Sequence, residues 1–476
     1  MSENQCPVLA VDLDGTLMRS DALFESFWSA LSANWRTLPG AVLALRQGRA
    51  RMKRYLADRA QIDVTSLPYS EAVLDRLRTH RAQGGRVVLV TATDQDLAER
   101  IGAHLGLFDE IHGSDGQTNL KGHRKAAFLN GRYGAGQYDY MGDSAADLEV
   151  WPHARRAITV NAPPALRAAA EKVNPQIEHM TAEPPRLQDH LKALRPHQWL
   201  KNTLVFLPVL AAHALAGPEL AASTLGFVSF CLIASSVYVI NDLLDLAADR
   251  QHPRKRRRPF ASGRIPIAHG TWMAGGLLLG GFGIAAALGG TFLLVMLGYY
   301  GLTTAYSMWL KRRAVVDICV LAGLYTVRII AGGAAAGLPL SVWILAFSIF
   351  LFFALAAVKR QAELVDMAQR GKLTASGRGY TTEDLPVITM MALASGYVSV
   401  LVSALYVNAP ATVAAYGQPE ALWGICCVLL YWISRTVLLA HRGQMHDDPV
   451  VYAAKDRISR ICLLLILGFI AAALVF

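Results

Sequence analysis

From Gln198 onward the chain is a succession of apolar runs of about 20 residues, the length an α-helix needs to cross a bilayer. Nine such segments can be drawn, at roughly 199–216, 220–240, 269–289, 291–310, 314–336, 340–358, 386–407, 419–440 and 458–476. Hydrocarbon offers the backbone no hydrogen-bond partners, so these runs predict an all-α integral membrane domain. The loops test the count, because Lys and Arg collect on the cytoplasmic side. Loops after the second, fourth, sixth and eighth segments carry Arg254 to Arg258 with Arg264, then Lys311 to Arg313, then Lys359, Arg360, Arg370, Lys372 and Arg378, then Arg442, Lys455 and Arg457. The alternate turns (Gly217 to Glu219, Gly289 to Thr291, Gly337 to Leu340, Asn408 to Pro419) carry neither. This pattern predicts a multi-pass protein of the cell (inner) membrane, with its N-terminal part cytoplasmic and its C-terminus outside.

The part before Pro196 reads instead as soluble α/β, which predicts two domains, 1–185 and 186–476. Mean hydropathy of +0.30 over the whole chain is too high for one ordinary soluble domain. Pro7 to Val11 is too short an apolar run, and lacks the basic leader, for a signal peptide. The net charge of +10 sits in membrane loops without interleaved aromatics, which fits anionic headgroups and phosphorylated substrates and excludes nucleic acid. Six scattered cysteines (Cys6, Cys231, Cys319, Cys426, Cys427, Cys462) give neither a disulfide framework nor zinc spacing. Gly332 and Gly333, inside an apolar run, predict close helix packing.

Where the second apolar run ends, Asn241, Asp242, Asp245 and Asp249 follow at spacings that stack the carboxylates on one helix face. Three like charges repel unless a cation sits between them, so the stretch predicts a divalent metal site that holds a phosphorylated substrate. The basic run to Arg258, with Arg256 and Arg258 as phosphate ligands, follows at once.

In the N-terminal part, the strand pattern Val8 to Val11 runs into Asp12-Leu-Asp14-Gly-Thr, placing two carboxylates at a strand's carboxyl end, where open α/β sheets bind ligands. Asp12 is suited to attack phosphorus, and Asp14 to protonate the leaving group and then activate water. A second strand, Arg86 to Val90, delivers Thr91, and a third, Tyr138 to Met141, delivers Asp143 and Asp147; Lys121 and Lys125 flank a helix start. DLDGT, the Thr closing a strand, a Lys and GDSxxD, in that order over about residues 6–165, resemble the haloacid dehalogenase superfamily of phosphatases. The resemblance implies a Rossmann-like domain with Asp12 as phosphoacceptor, Asp14 as acid/base and Thr91 as phosphate donor. Mg²⁺ would lie among Asp12, Asp14, Asp143 and Asp147. The phosphate-neutralising lysine is expected to be Lys121, at the helix start, in preference to Lys125. Residues 20–70, with Leu23, Phe27, Leu31, Leu43, Met52, Tyr55 and Leu56 at helical spacing, are expected to form a small helical cap.

The membrane half opens with Arg195, Trp199, Lys201 and Asn202. Together with the stretch from Asn241 to Gly263, NDxxDxxxDRxHPxKRxRPxASG, these residues resemble the UbiA superfamily of intramembrane prenyltransferases, and within it the decaprenyl-phosphate phosphoribosyltransferase branch. Ala305-Tyr306-Ser307 with Lys311 and Asp317, Arg328 with Gly332, Lys359-Arg360 with Glu363, and His446-Asp447-Asp448-Pro449-Val450 with Lys455-Asp456-Arg457 support that branch. The resemblance implies Mg²⁺ on Asp242, Asp245 and Asp249, phosphoribosyl pyrophosphate as donor and a polyprenyl phosphate as acceptor, in cell envelope synthesis. Tyr306, Lys311, Lys359 and Arg360 are candidates for phosphate binding, and Asn241 for orienting phosphate or metal. A charge inside a span is expensive, so Arg328 is expected to face substrate or to pair with Asp317, and Arg435 to snorkel. His446, Asp447 and Asp448 are candidates for a second metal site. The alternative, an aromatic prenyltransferase with an unrelated phosphatase attached, requires a second aspartate-rich motif after the sixth span. KRQAELVD stands there instead, with only Glu363 and Asp366 acidic.

Overall fold

The computed structural model describes residues 8–115, 118–181, 186–214, 217–371, 379–445 and 448–475. The chain divides into two compact units, Met1–Leu194 with Tyr238–Gly275, and Arg195–Val237 with Gly276–Phe476. This differs from a single boundary at residue 185, and the reason is an apolar helix face that needs cover. In the first unit, Phe24, Phe27, Trp28 and Leu31 cluster with Val239, Leu243, Leu246, Phe260, Ile265 and Ile267. Trp28 Nε1 also donates to Thr271 Oγ1 at 3.0 Å.

Six parallel strands form the sheet of that unit: β1 (Val8–Val11), β2 (Val87–Asp94), β3 (Glu110–Ser114), β4 (Tyr138–Gly142), β5 (Arg156–Val160) and β6 (Ile177–Met180), in the order β3-β2-β1-β4-β5-β6. Strand alternation gives each face its own core. Leu9, Val11, Val87 and Leu89 pack with Leu74 and Leu77 of α4 (Glu71–Ala82) and Ile101 of α5 (Gln95–Leu105). Ala10, Val88 and Val90 pack with Leu129 of α6 (His123–Tyr133) and Ala170 of α7 (Pro164–Val173). The order reverses at β1, so a crevice opens at its carboxyl end, where Asp12 stands. Between β1 and α4 lie three helices, α1 (Ala22–Ala33), α2 (Thr37–Arg46) and α3 (Arg49–Ala57), matching the expected cap.

Among the described residues, seven helices are long and apolar enough to cross a membrane: Pro218–Leu244, Ile267–Leu288, Val316–Ala336, Val342–Gln369, Thr382–Val407, Pro419–His441 and Arg457–Leu474. The count of nine is not reproduced among the described residues. The segment 199–216 holds a 3₁₀ helix, Pro196–Phe206, and a short helix, Leu207–Ala211. The segment 291–310 forms a helix, Gly290–Met308, diluted by Tyr299, Tyr300, Thr303, Thr304 and Tyr306. In the second unit a Cβ at Gly332 would lie 2.0 Å from the Val205 carbonyl oxygen, so the backbones approach as closely as the small-residue pattern predicts. The five described cysteines are free. Cys6, Lys372, Arg378, His446 and Asp447 lie outside the described residues.

Candidate active sites

At the carboxyl end of β1, Asp12, Asp143 and Asp147 each offer an oxygen, all within 4.8 Å of one another. Gly15 permits this closeness: its φ is +73°, and a Cβ there would lie 2.0 Å from Asp143 Oδ2. Asp147 is fixed by Tyr140 Oη at 2.7 Å and by the Ser144 backbone N–H and hydroxyl, each at 2.9 Å. Thr16 Oγ1 donates to Asp143 at 3.2 Å. An all-oxygen set of three carboxylates fits a hard divalent cation such as Mg²⁺. Asp14 is not in this group, because its carboxylate accepts from the Ala22 N–H at 2.7 Å and from Thr93 Oγ1 at 2.9 Å.

The lysine beside the aspartates is Lys125, not Lys121. Lys125 is buried on α6, 2.9 Å from Asp12 Oδ2 and 3.9 Å from Asp147 Oδ1, and donates to Tyr140 Oη at 2.9 Å. Lys121 is exposed and precedes the helix, although it also lines the cavity. Burial alone would lower the pKa of Lys125, but Asp12 and Asp147 outweigh it and raise it. Burial, reinforced by Asp12 and Asp147, pushes Asp143 well above the ordinary carboxylate range. Asp14 is pushed up to about 7 by burial and then by the charges of Asp21 and Asp12, so it holds a proton near neutral pH, as a general acid must. Thr91 is buried, its hydroxyl accepting from the Thr93 N–H at 3.1 Å, and the cavity is lined by Thr93 instead. That cavity is about 740 Å³, with Lys53, Met52 and Leu45 contributed by the cap.

Within the same unit, the aspartate stretch divides. Asp242 and Asp249 are buried and share one guanidinium group, Arg258 Nη1, at 3.0 and 2.6 Å. Asp245 is exposed, and Asn241 half-buried. The chain leaves its long helix at Leu244, Asp245 is the N-cap of Leu246–Gln251, and the single face expected of one continuous helix is broken there. The two buried carboxylates therefore converge on one cationic charge, while Asp249 Oδ1 has no hydrogen-bond partner among the described residues and lies 3.9 Å from Lys255 Nζ. Arg256 is exposed.

In the second unit, Lys201 and Lys359 converge on Asp448 Oδ2 at 2.7 and 3.1 Å, and Tyr325 Oη donates to Asp448 Oδ1 at 3.0 Å. Burial would raise the pKa of Asp448, but Lys359 and Lys201 hold it well below the usual carboxylate range. Arg328 donates to Asn202 Oδ1 at 2.9 Å and lies over the rings of Phe230, Tyr299 and Tyr325. Asp317 pairs with Arg360, which also binds Glu363 and is fully buried, so Arg360 is a structural cation and not an exposed phosphate ligand. Arg435 does not snorkel; it forms a two-pronged pair with Asp456 at 2.7 and 3.2 Å. Tyr306 and Lys311 are half-buried. Asp448, expected with His446 and Asp447 in a second metal site, is held instead by two ammonium groups, and Tyr325 carried no signal in the sequence.

The model of the UbiA prenyltransferase family matches residues 204–474. The chain belongs to the UbiA prenyltransferase family. Residues 9–151 match the model of haloacid dehalogenase-like hydrolases, so a hydrolase domain precedes the UbiA domain. The chain is thus an enzyme in which a haloacid dehalogenase-like domain precedes a UbiA domain. Protein y4nM of Sinorhizobium fredii is 38% identical over 95% of this chain and 88% of its own length. Nodulation protein NoeC of Azorhizobium caulinodans is 38% identical over 59% of this chain and 92% of its own. The decaprenyl-phosphate phosphoribosyltransferase of Mycolicibacterium smegmatis is 35% identical over 62% of this chain and 96% of its own.

Proposed function

We propose that the UbiA half transfers 5-phosphoribosyl from phosphoribosyl pyrophosphate to a polyprenyl phosphate, and that the hydrolase half removes a phosphate, that of the ribose 5-position in the product. The likeness to the Mycolicibacterium enzyme along 96% of that enzyme carries the first half of this reading. In the transfer, the bond from ribose C1 to pyrophosphate breaks, a bond from C1 to the lipid phosphate oxygen forms, and pyrophosphate leaves. Mg²⁺, when bound at Asp242 and Asp249, supplies a Lewis acid for the leaving group. Arg258, which contacts both carboxylates through Nη1, would add a cationic charge for the leaving pyrophosphate. Lys201 and Lys359, paired on Asp448, offer two ammonium groups to a further phosphate. The carboxylates of the KRQAELVD stretch support this reading over an aromatic prenyltransferase, since Glu363 is bound by Arg360 and Asp366 by Arg370.

In the hydrolase half, an oxygen of Asp12 attacks phosphorus, the ester P–O bond breaks and the leaving oxygen takes the proton of Asp14. Water then attacks the acyl phosphate with Asp14 as base, releasing phosphate and restoring Asp12. Mg²⁺ among Asp12, Asp143 and Asp147, when bound, neutralises the phosphoryl oxygens. Lys125 positions Asp12 and opposes the rise in its pKa that burial and Asp147 impose. The orientation assigned is N-terminal half cytoplasmic and C-terminus outside. Purified full-length protein with Mg²⁺, radiolabelled phosphoribosyl pyrophosphate and a polyprenyl phosphate should place label in the lipid phase. Absence of lipid label, with prenylation of 4-hydroxybenzoate from a prenyl diphosphate, would reject the proposal.

A further inference from the structure

Helix α2 is amphipathic the wrong way round for a soluble domain. Its buried positions are Thr37, Ala41 and Ala44, whereas Leu38, Val42 and Leu45, one helical face at spacings of four and three, are 47%, 52% and 48% exposed. Trp35 and Leu43 widen the exposed apolar surface. A soluble helix buries its large side chains and exposes its small or polar ones. Along the chain, Trp35 to Met52 holds Arg36, Arg46, Arg49 and Arg51 and no Asp or Glu, while Lys53 and Arg54 are committed to the Ala92 carbonyl and to Asp58, Asp94 and Asp96. An apolar face flanked by cations matches the interface of an anionic bilayer, where acyl chains take the one and headgroups the other.

The cavity at Asp12 gives this surface a purpose. Leu45 of α2 and Met52 of α3 line it, and so do Ala268 and Trp272 of the membrane-crossing helix Ile267–Leu288. Trp272 is 76% exposed, as an indole at the headgroup level would be. One wall of the phosphatase cavity therefore belongs to the lipid-facing surface of the first unit. We infer that α2 lies in the membrane interface with Leu38, Val42 and Leu45 among the acyl chains, and that the cavity receives a phosphate carried on a membrane lipid. The second clause rests on the phosphatase reading of Asp12; the first does not.

The test uses the full chain with its six cysteines replaced, reconstituted in vesicles of phosphatidylcholine and phosphatidylglycerol. Spin labels are placed at Leu38→Cys, at Val42→Cys and, as an aqueous control, at Asp75→Cys on α4. Labels at 38 and 42 should collide with oxygen and be shielded from a water-soluble nickel chelate, with the reverse at 75. Nickel accessibility at 38 and 42 equal to that at 75, or shielding from both reagents as under a second protein surface, overturns the interface assignment. In the same vesicles, Leu38→Glu with Val42→Glu should cut hydrolysis of a membrane-borne long-chain alkyl phosphate by roughly tenfold, while a soluble aryl phosphate is turned over unchanged. Equal loss on both substrates, or on neither, overturns the lipid-substrate clause. Absence of aryl phosphate hydrolysis in the unsubstituted chain rejects the phosphatase reading instead, and the spin labels still decide where α2 lies.

Discussion

The choice between Lys125 and Lys121 can be decided by charge removal. Lys125 Nζ stands 2.9 Å from Asp12 and 3.9 Å from Asp147, and the Asp12 pair alone is worth about 6 kcal/mol at an effective dielectric of about 20. Burying the ammonium group offsets several kcal/mol of this, so Lys125→Met, which leaves the carboxylates crowded, should destabilise the domain by about 3–5 kcal/mol. Its loss of transition-state stabilisation should lower kcat for an aryl phosphate by roughly 10²–10³-fold. Lys121 is exposed, and Lys121→Met should cost less than about 0.5 kcal/mol and change mainly KM. Because Lys125→Met is at risk of misfolding, hydrogen exchange of β1 and β4 is followed with and without Mg²⁺. Added Mg²⁺ should protect the variant more than the parent, since it replaces the missing positive charge. Near-parental turnover by Lys125→Met, or an equal fall in kcat for Lys121→Met, would refute the reasoning.

Removing one carboxylate of the buried pair, by Asp242→Asn or Asp249→Asn, should abolish lipid labelling from phosphoribosyl pyrophosphate while circular dichroism stays unchanged. Labelling near the parental rate would make that pair structural. Asp245→Asn, at an exposed position, should reduce labelling by less than about fivefold in the same assay. Asp12→Asn should leave transfer intact yet raise the ratio of phosphorylated to dephosphorylated lipid product, read by thin-layer chromatography; an unchanged ratio rejects coupling of the two activities. Breaking the Glu25–Arg250 pair, 2.6 Å apart and buried on both sides, by Arg250→Met should cost about 3–5 kcal/mol, measured as accelerated proteolysis of the cap.

Local chemistry was legible in the sequence where the strand itself places the residue. Asp12, Asp143 and Asp147 follow directly from β1 and β4, and their convergence is the ordinary consequence of neighbouring parallel strands. Lys125 was misjudged in favour of Lys121 because the start of α6 depends on Gly122, whose φ of +54° ends the preceding loop and turns the third helical residue inward. Thr93 sits two residues beyond Thr91 on a strand longer than its apolar core suggests, and it is Thr93 that reaches Asp14. Asp448 is 247 residues from Lys201, and no local pattern reports such a partnership. The same limit hid Arg360 as the partner of Asp317, since a charged run after an apolar segment reads as an exposed loop, while the helix Val342–Gln369 carries it inward.

The fusion is more than a linear join, because the first unit is built from both halves of the sequence. Arg250 immediately follows Asp249 and grips Glu25 of α1 with both arms, at 3.1 and 2.6 Å. A buried guanidinium needs such a partner, and a buried carboxylate needs it equally, so neither the cap nor the 246–251 helix can leave the other without exposing an unpaired charge or desolvating one. The apolar cluster around Trp28 acts in the same direction, covering Leu243 and Leu246 on either side of Asp245. A fragment ending at residue 185 would strip α1 of this cover and leave Glu25 without its arginine. The cap over the Asp12 cavity and the turn that carries Asp249 are therefore positioned by one shared core.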